Sequence, residues 1–369
     1  MRTIYLVDYL GIHCGMHYYL EAFKKVLEEI DGVHVIILSN YSDRETDAPF
    51  FVNQYKGSKF NKILSLLKNL FRLQRIVTSK KNDIFVYLTY GNRIDLLFMN
   101  IISKVNNHVI DIHEAIAQNF DSMVFLKNRF KDLYGNKIRN VISHSSRTNS
   151  FLADYKFRGH RFNVPHFKYT FSKIYNESNI NYEIKDSIDS SKLNLLFFGN
   201  LNESKGIDIL LKAYNLTDSH TANKINLIIA GKDFDGAIDR VEIKSDRKVK
   251  IFKRHITDDE LRFLYQHVDY LCLPYRKTSQ SGILEMAFYF QKPIIASDVL
   301  YFRQTLNQFP SFGILAGTTE EDYAKAMKDV VNKHAEAKYF IEEDYKKYIH
   351  RTEIEKFKID FGEWIDKIS

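Results

Sequence analysis

Lys205 and Glu285 are the residues of this 369-residue chain whose type and setting most directly suggest chemistry. Lys205 stands beside Gly206 in Leu193–Tyr214, LNLLFFGNLNESKGIDILLKAY, and Glu285 follows Ser281-Gly282 in Tyr270–Ser297, YLCLPYRKTSQSGILEMAFYFQKPIIAS. Each stretch reads as a buried strand, a Gly- or Ser-rich turn, and a helix whose first turn is small and polar. Such a turn leaves backbone N–H groups and the positive end of a helix dipole facing a crevice, which suits an anion such as a diphosphate. Lys205 and Arg276 add formal positive charge there, and an ammonium can neutralise the charge that develops on a departing diphosphate. The plainer alternatives are a solvated loop lysine and a glutamate that only stabilises a helix dipole, an effect of about 0.3–1 kcal/mol. Two anion-seeking turns in one α/β domain point to a nucleotide-sugar site.

These turns need a sheet behind them. Thr3–Val7, His34–Leu38, Asp83–Leu88, His108–Ile112 and Val141–Ser143 read as short buried strands, with helical patterns near His17–Glu29, Phe60–Val77, Arg93–Val105, Ser122–Tyr134 and Arg147–Tyr155. That alternation predicts a parallel sheet covered on both faces. Residues Ser172–Lys192 turn to Asn, Ser, Asp and Glu without periodicity and read as a linker. Strands near Leu193–Phe198, Asn226–Ala230, Val249–Phe252, Tyr270–Leu273 and Pro293–Ala296 follow, then helices at Glu320–Lys333, Ala337–His350 and Thr352–Ile368. In the first half, His113 ends a strand and falls at the carboxyl edge that lines the crevice of doubly wound sheets. Glu114 is a weaker candidate beside it; His144 and His166 read as structural or crevice-lining. The loop Gly11–Tyr19, GIHCGMHYY, is either an acceptor-binding loop or an ordinary strand–helix connection. Asp233-Phe234-Asp235 has the look of a metal motif, but a surface turn is the simpler reading.

Gly199, Lys205-Gly206, Pro274-Tyr275, Ser281-Gly282, Glu285 and Lys292–Ser297 together follow a known order. In these residues the chain resembles the retaining glycosyltransferases of family 4 (glycosyl transferases group 1), well over roughly 193–335 and loosely before that. The resemblance implies a GT-B fold, with two Rossmann-like doubly wound parallel-sheet domains facing a cleft. Residues 1–171 would bind the acceptor, 172–192 would link, 193–350 would bind the nucleotide sugar, and 351–369 would return as a helix to the first domain. It also implies a donor site of Gly199, Asn200, Lys205, Gly206, Arg276, Ser279, Gln280, Ser281, Gly282, Ile283 and Glu285, with Glu285 accepting from the ribose hydroxyls. Catalytic roles fall to His113, Lys205 and Arg276, and acceptor contacts to Gly11, His13, Gly15 and His17. The pattern is broken in two places. Asn200 and Asn202 stand where relatives have an upstream Arg, and Lys277 stands where many have a first Glu. The expected mechanism is metal-independent front-face attack, with no cofactor beyond the nucleotide-diphosphate sugar.

Composition narrows the setting. Residues 1–170 carry 24 Lys and Arg against 15 Asp and Glu, an excess of nine, whereas 171–369 carry 29 against 31; the whole chain is +7. The excess is densest in Lys56–Lys81, which has no acidic residue and calls for an anionic partner: nucleic acid, an acidic substrate or a membrane surface. Phe60–Val77 predicts an amphipathic helix, with Ile63, Leu66, Leu67, Leu70, Leu73 and Val77 on one stripe and cations on other faces. It would lie against the sheet or on an anionic leaflet. No recognised nucleic-acid module accompanies the basic block, so no nucleic-acid partner is expected. Only Cys14 and Cys272 occur, and no stretch of transmembrane length or secretory leader is evident, so a cytoplasmic protein, peripheral at the inner face of a membrane, is expected. The leading reading is a glycosyltransferase acting on a lipid-linked saccharide in bacterial surface glycan biosynthesis. The alternatives are a sugar-nucleotide epimerase of the same fold or a non-catalytic partner subunit.

Overall fold

In the computed structural model the described residues are 2–11, 15–41, 48–53, 57–114, 124–169, 174–233, 235–278 and 280–368. The chain divides into two compact units, Met1–Tyr169 with Thr352–Ser369, and Thr170–Arg351.

The first unit holds a six-stranded parallel sheet, β1 (Arg2–Asp8), β2 (Val33–Ser39), β3 (Ile84–Tyr90), β4 (His108–Glu114), β5 (Asn140–Ser143) and β6 (His160–Asn163), in the order β2-β1-β3-β4-β5-β6. Crossovers run through α1 (His17–Glu28), α2 (Lys59–Ser79), α3 (Arg93–Ile102), α4 (Val124–Asn136) and α5 (Ser146–Asp154). Near-continuous burial along β1 and β3 is what helices on both faces require. β6 was not expected. Its sequence HRFN buries only Phe162, so an edge strand leaves little apolar signal.

The second unit carries α6 (Tyr182–Lys185), β7 (Leu193–Phe198), α7 (Ile207–Leu216), α8 (Ser219–Lys224), β8 (Ile225–Gly231), β9 (Val249–Lys253), α9 (Asp258–His267) and β10 (Tyr270–Leu273). It continues with α10 (Gly282–Tyr289), β11 (Ile294–Ser297), α11 (Leu300–Gln308), β12 (Gly313–Ala316), α12 (Glu320–Lys333) and α13 (Glu342–Ile349). Its sheet order is β12-β11-β10-β7-β8-β9, again all parallel. The strand order reverses between β7 and β10. Doubly wound sheets bind ligands outside the carboxyl ends of the strands at such a switch point, and both anion-seeking turns leave the sheet there.

Three expectations need correction. Residues 172–192 are not a free linker: from residue 174 on they belong to the second unit, where Asn176 N and Asn179 Nδ2 donate to the Asp259 carboxylate at 3.3 and 2.8 Å. The helix expected at Ala337–His350 is shorter, α13, because Phe340 N turns back to the Ser311 carbonyl at 2.9 Å. The stripe of α2 is divided. Leu73 and Val77 are buried and Leu66, Leu70 and Ile76 pack beside them, whereas Ile63 and Leu67 are exposed. Asn69 lies within the packed face, its amide exchanging 2.9 Å hydrogen bonds with Val52 N and O.

The final helix, α14 (Thr352–Lys367), completes the first unit. Phe361 and Trp364 lie 4.8 and 5.6 Å from the Phe162 ring of β6, and Phe357 lies 5.7 Å from Phe167.

Close backbone approach limits the carboxyl edge of the second sheet. A Cβ on Gly231 would stand 1.7 Å from the Gly199 carbonyl oxygen, at φ +152°, whereas one on Gly236, at φ +66°, would meet nothing within 4 Å. Gly236→Ala should therefore lose only the left-handed backbone penalty, about 1–2 kcal/mol. Gly231→Ala should lose at least about 2 kcal/mol more, because the strand ends must part. Urea unfolding of the two variants reads the difference, and equal losses would contradict the close approach.

Candidate active site

The loop after β7 is built from its own polar residues. Gly199 takes φ +120°, and its N–H donates to Ala230 O at 3.1 Å. Asn202 Oδ1 accepts from Lys205 N at 3.0 Å and from Ser204 Oγ at 2.9 Å, capping a single turn over Glu203–Lys205. Gly206, at φ +71°, then starts α7. A Cβ there would lie 1.8 Å from the Pro274 carbonyl oxygen, so only glycine lets this turn press on the end of β10. The Lys205 ammonium sits 4.1 Å from the centre of the buried Tyr275 ring and enters no ion pair among the described residues. The aromatic face holds the cation without neutralising it.

The loop after β10 is stitched to the first. Arg276 N donates to Ser204 O at 3.3 Å, and its guanidinium grips Asp208 through two bonds of 2.7 Å and also donates to Glu203 O. Burial works against the Asp208 charge, but the Arg276 fork outweighs it and holds the carboxyl below its ordinary value. Arg276 was expected as a second cation for the diphosphate. Its charge is shared with Asp208, 68 residues away in sequence, and its bonds to Ser204 and Glu203 tie it to the Lys205 loop.

Ser281 Oγ accepts from Leu284 N at 3.3 Å and caps α10, whose first residue is Gly282. Ile283 lies where it would touch a Cβ on Gly199, at 3.5 Å, which brings the β7 end and the α10 start together. Asn200 is exposed next to Gly199, Gln280 is half-buried, and Ser279 lies outside the described residues. Glu285 has partners that the sequence did not announce. It is buried, and its Oε2 accepts from Tyr348 Oη at 2.8 Å and from Arg351 Nη2 at 2.8 Å, with Arg351 Nη1 3.5 Å from Oε1. A buried carboxylate of this kind needs a cation, and no local pattern announces an arginine 66 residues on. Only Oε1 keeps capacity for another donor. Asp233 and Asp235 accept from Gly236 N at 2.9 Å, Ala237 N at 3.0 Å and Glu203 N at 3.0 Å, the behaviour of a turn.

In the first unit His113 closes β4 inside a buried polar cluster that was not foreseen as one. Asp111 Oδ2 accepts from Tyr19 Oη at 2.7 Å, Asp111 Oδ1 is 2.6 Å from His144 Nε2, and His113 Nε2 lies 3.5 Å from Oδ2. His144 Nδ1 lies 3.0 Å from the Val164 carbonyl. Both ring nitrogens of His144 thus face oxygen atoms, and Nε2 also lies 3.2 Å from Tyr19 Oη. Burial pushes the Asp111 carboxyl up, but the two histidines outweigh it and hold it far below its usual range; burial lowers the His113 imidazole, favouring its neutral form. The donor atoms of Asp111, His113 and His144 lie within 4.8 Å of one another, close enough for a small cation. Those of Asp111 and His144 are already engaged with each other and with Tyr19.

The loop after β1 is drawn in by Asp8, which accepts from Leu10 N and Gly11 N at 2.9 Å and from Tyr90 Oη. Gly11 takes φ +46° and Gly15 φ +72°. His17 opens α1, its ring centre 3.8 Å from that of Tyr18, and His13 lies outside the described residues. Asp95, after β3, accepts from Asn92 N and Tyr90 N at 2.9 Å and from Tyr87 Oη at 2.8 Å, and burial pushes its carboxyl up to about 6.

Residues 180–347 match the family described as glycosyl transferases group 1. Solved structures with the same fold include the sucrose-phosphate synthase of Thermosynechococcus elongatus, at 14% identity and a TM-score of 0.68 over 100% of this chain and 99% of that one. WaaG, a glycosyltransferase involved in lipopolysaccharide biosynthesis, aligns at 11% identity and a TM-score of 0.65 over 98% and 99%. HepE of Anabaena in complex with UDP-glucose aligns at 12% identity and a TM-score of 0.65 over the full length of both. These likenesses show the GT-B fold. No curated protein matches the chain in sequence.

The Glu285–Arg351 pair is open to direct measurement. Removing one partner of a buried ion pair leaves the other uncompensated and costs about 3–5 kcal/mol. Arg351→Met should lose that much in urea unfolding, and Glu285→Gln combined with Arg351→Met should regain most of it. A single variant within about 1 kcal/mol of the parent would remove the pair from the stability of the unit.

Proposed function

We propose that the protein, whose residues 180–347 match the glycosyl transferases group 1 model, moves a sugar from a nucleotide-diphosphate sugar to a saccharide acceptor with retention of anomeric configuration. The observation that carries this reading is Lys205, an ammonium without a carboxylate partner among the described residues, held over Tyr275 at the switch point beside the capped start of α10. The diphosphate binds the first turn of α10 and Lys205. The bond from the anomeric carbon to the diphosphate oxygen breaks while an acceptor hydroxyl bonds that carbon from the same face. The hydroxyl proton passes to the departing diphosphate, and Lys205 stabilises the charge arriving there. Gly199 admits the donor backbone to backbone, and Glu285 Oε1 accepts from the ribose. His113, kept neutral and buttressed by Asp111, contacts the donor sugar; Gly11, Gly15 and His17 serve the acceptor.

The acceptor is a lipid-linked saccharide at the cytoplasmic face of a membrane, in surface glycan biosynthesis. The cation-rich first half favours it, as does the chemistry of an enzyme that must work where its acceptor is anchored. No helix among the described residues is long and apolar enough to cross a membrane. A second reading, a non-catalytic partner subunit, draws on the engagement of Glu285 by Arg351 and of Arg276 by Asp208.

A thermal-shift series with UDP, GDP and ADP separates the two, since a ligand bound only by the native state raises the unfolding temperature. One of them should stabilise the chain, and none should if it is a non-catalytic subunit. Lys205→Ala should lower turnover by about a hundredfold, the scale of one lost charge-stabilising donor, with the unfolding temperature unchanged; near-normal turnover would remove Lys205 from the mechanism. Transfer should also persist in EDTA, and strict dependence on Mg²⁺ or Mn²⁺ would contradict a metal-independent step.

A further inference from the structure

Helix α2 has two apolar faces, and among the described residues only one of them is covered. Leu73 and Val77, with Leu66, Leu70 and Ile76, pack into the first unit. Phe60, Ile63, Leu64, Leu67 and Phe71 point outward, with Phe60 73% and Phe71 71% exposed. At roughly 100° per residue these five fall within an arc of about 100°, a continuous stripe along a helix about 30 Å long. Scattered exposed apolar residues need no explanation, but a contiguous row on one helix does.

The charge beside the row is one-sided. Lys68, Arg72 and Arg75 occupy the adjoining arc of about 60°, and the sequence has no Asp or Glu from Ala48 to Asn82. Next to this flank is a cavity of about 450 Å³ lined by Pro49, Phe50, Arg72, Arg75, Ile76 and Ser79. Its lining is part apolar and part polar, and its charges are two guanidinium groups, of which Arg72 also donates to Phe50 O at 2.7 Å. Guanidinium forks match phosphate oxygens.

We propose that this outward face of α2 docks on an anionic lipid bilayer, with Phe60, Ile63, Leu64, Leu67 and Phe71 entering the acyl boundary and a headgroup phosphate seated between Arg72 and Arg75. An apolar row flanked by cations is the arrangement of an interfacial helix, whose affinity adds buried apolar area to attraction for anionic lipid. The inference deepens the reading of a membrane-anchored acceptor, and it does not depend on the donor chemistry.

Sedimentation with vesicles of phosphatidylcholine, with and without one-third phosphatidylglycerol, tests it in the absence of donor and acceptor. Binding to the anionic vesicles should be at least tenfold stronger and should fall as salt is raised. Phe60→Asp with Phe71→Asp should abolish at least nine-tenths of it on both compositions. Lys68→Glu with Arg75→Glu should remove the preference for anionic vesicles; Arg72 is left in place because it holds the Phe50 segment. Unchanged unfolding temperatures would show that the variants fold, and one that unfolds early is replaced by its Phe→Ser counterpart. Equal, negligible binding to both vesicles at low salt would overturn the proposal. So would a self-association that Phe60→Asp with Phe71→Asp abolishes while vesicle binding is absent, since the face would then belong to a second copy. A protein that transfers sugar but ignores vesicles sinks this inference alone; one that docks but binds no nucleoside diphosphate sinks the proposed function alone.

Discussion

At the switch point of the second sheet, backbone must rest on backbone. Gly206 abuts the Pro274 carbonyl and Gly231 abuts the Gly199 carbonyl, at separations that leave no room for a methyl group. This contact brings the loop after β7 against the loop after β10, and the remaining features follow from it. Arg276 can reach Asp208 and Ser204, Tyr275 comes to lie under Lys205, and Ile283 comes to lie on Gly199. The two cations are thereby set in different surroundings. Arg276 is paired with Asp208 between the loops; Lys205 rests over an aromatic ring.

The first unit solves the equivalent problem with carboxylates. Asp8 at the end of β1, Asp95 in the first turn of α3 and Asp111 in the middle of β4 are all fully buried. Each is compensated differently: Asp8 by two backbone N–H groups and a tyrosine, Asp95 by a capping box and a tyrosine, Asp111 by histidines and a tyrosine. Buried charge of this kind contributes little net stability and is strongly directional. It ties the start of the loop after β1 and the strand that carries His113 to their neighbours without using the apolar residues needed by the sheet.

Much of this was legible in advance. Central parallel strands announce themselves as unbroken Ile, Val and Leu runs, and the Lys205 and Ser281 turns carry their own glycines and caps. Edge strands do not: HRFN and GILA have too few buried positions to stand out. The bonds of Glu285 to Arg351, of Arg276 to Asp208 and of Asp111 to His144 and Tyr19 were also invisible, because these partners lie 33 to 92 residues away and are chosen by the fold rather than by local spacing. The helical period of α2 was right, yet period alone cannot say which of two apolar arcs meets the sheet. Residue neighbours decide that, through Asn69 and Val52 on the packed side.

The first unit is discontinuous, since α14 completes a layer whose other members end at Tyr169. During synthesis the whole of Thr170–Arg351 must emerge before α14 exists. At about 5–20 residues per second that is a delay of roughly 10–40 s. Throughout it, the aromatic face of Phe162 and Phe167 stands uncovered next to a nascent chain that is folding a second sheet. The intervening unit is continuous in sequence, whereas the first waits for α14 to be made. Premature termination anywhere in α14 would therefore damage the domain built first rather than the one built last.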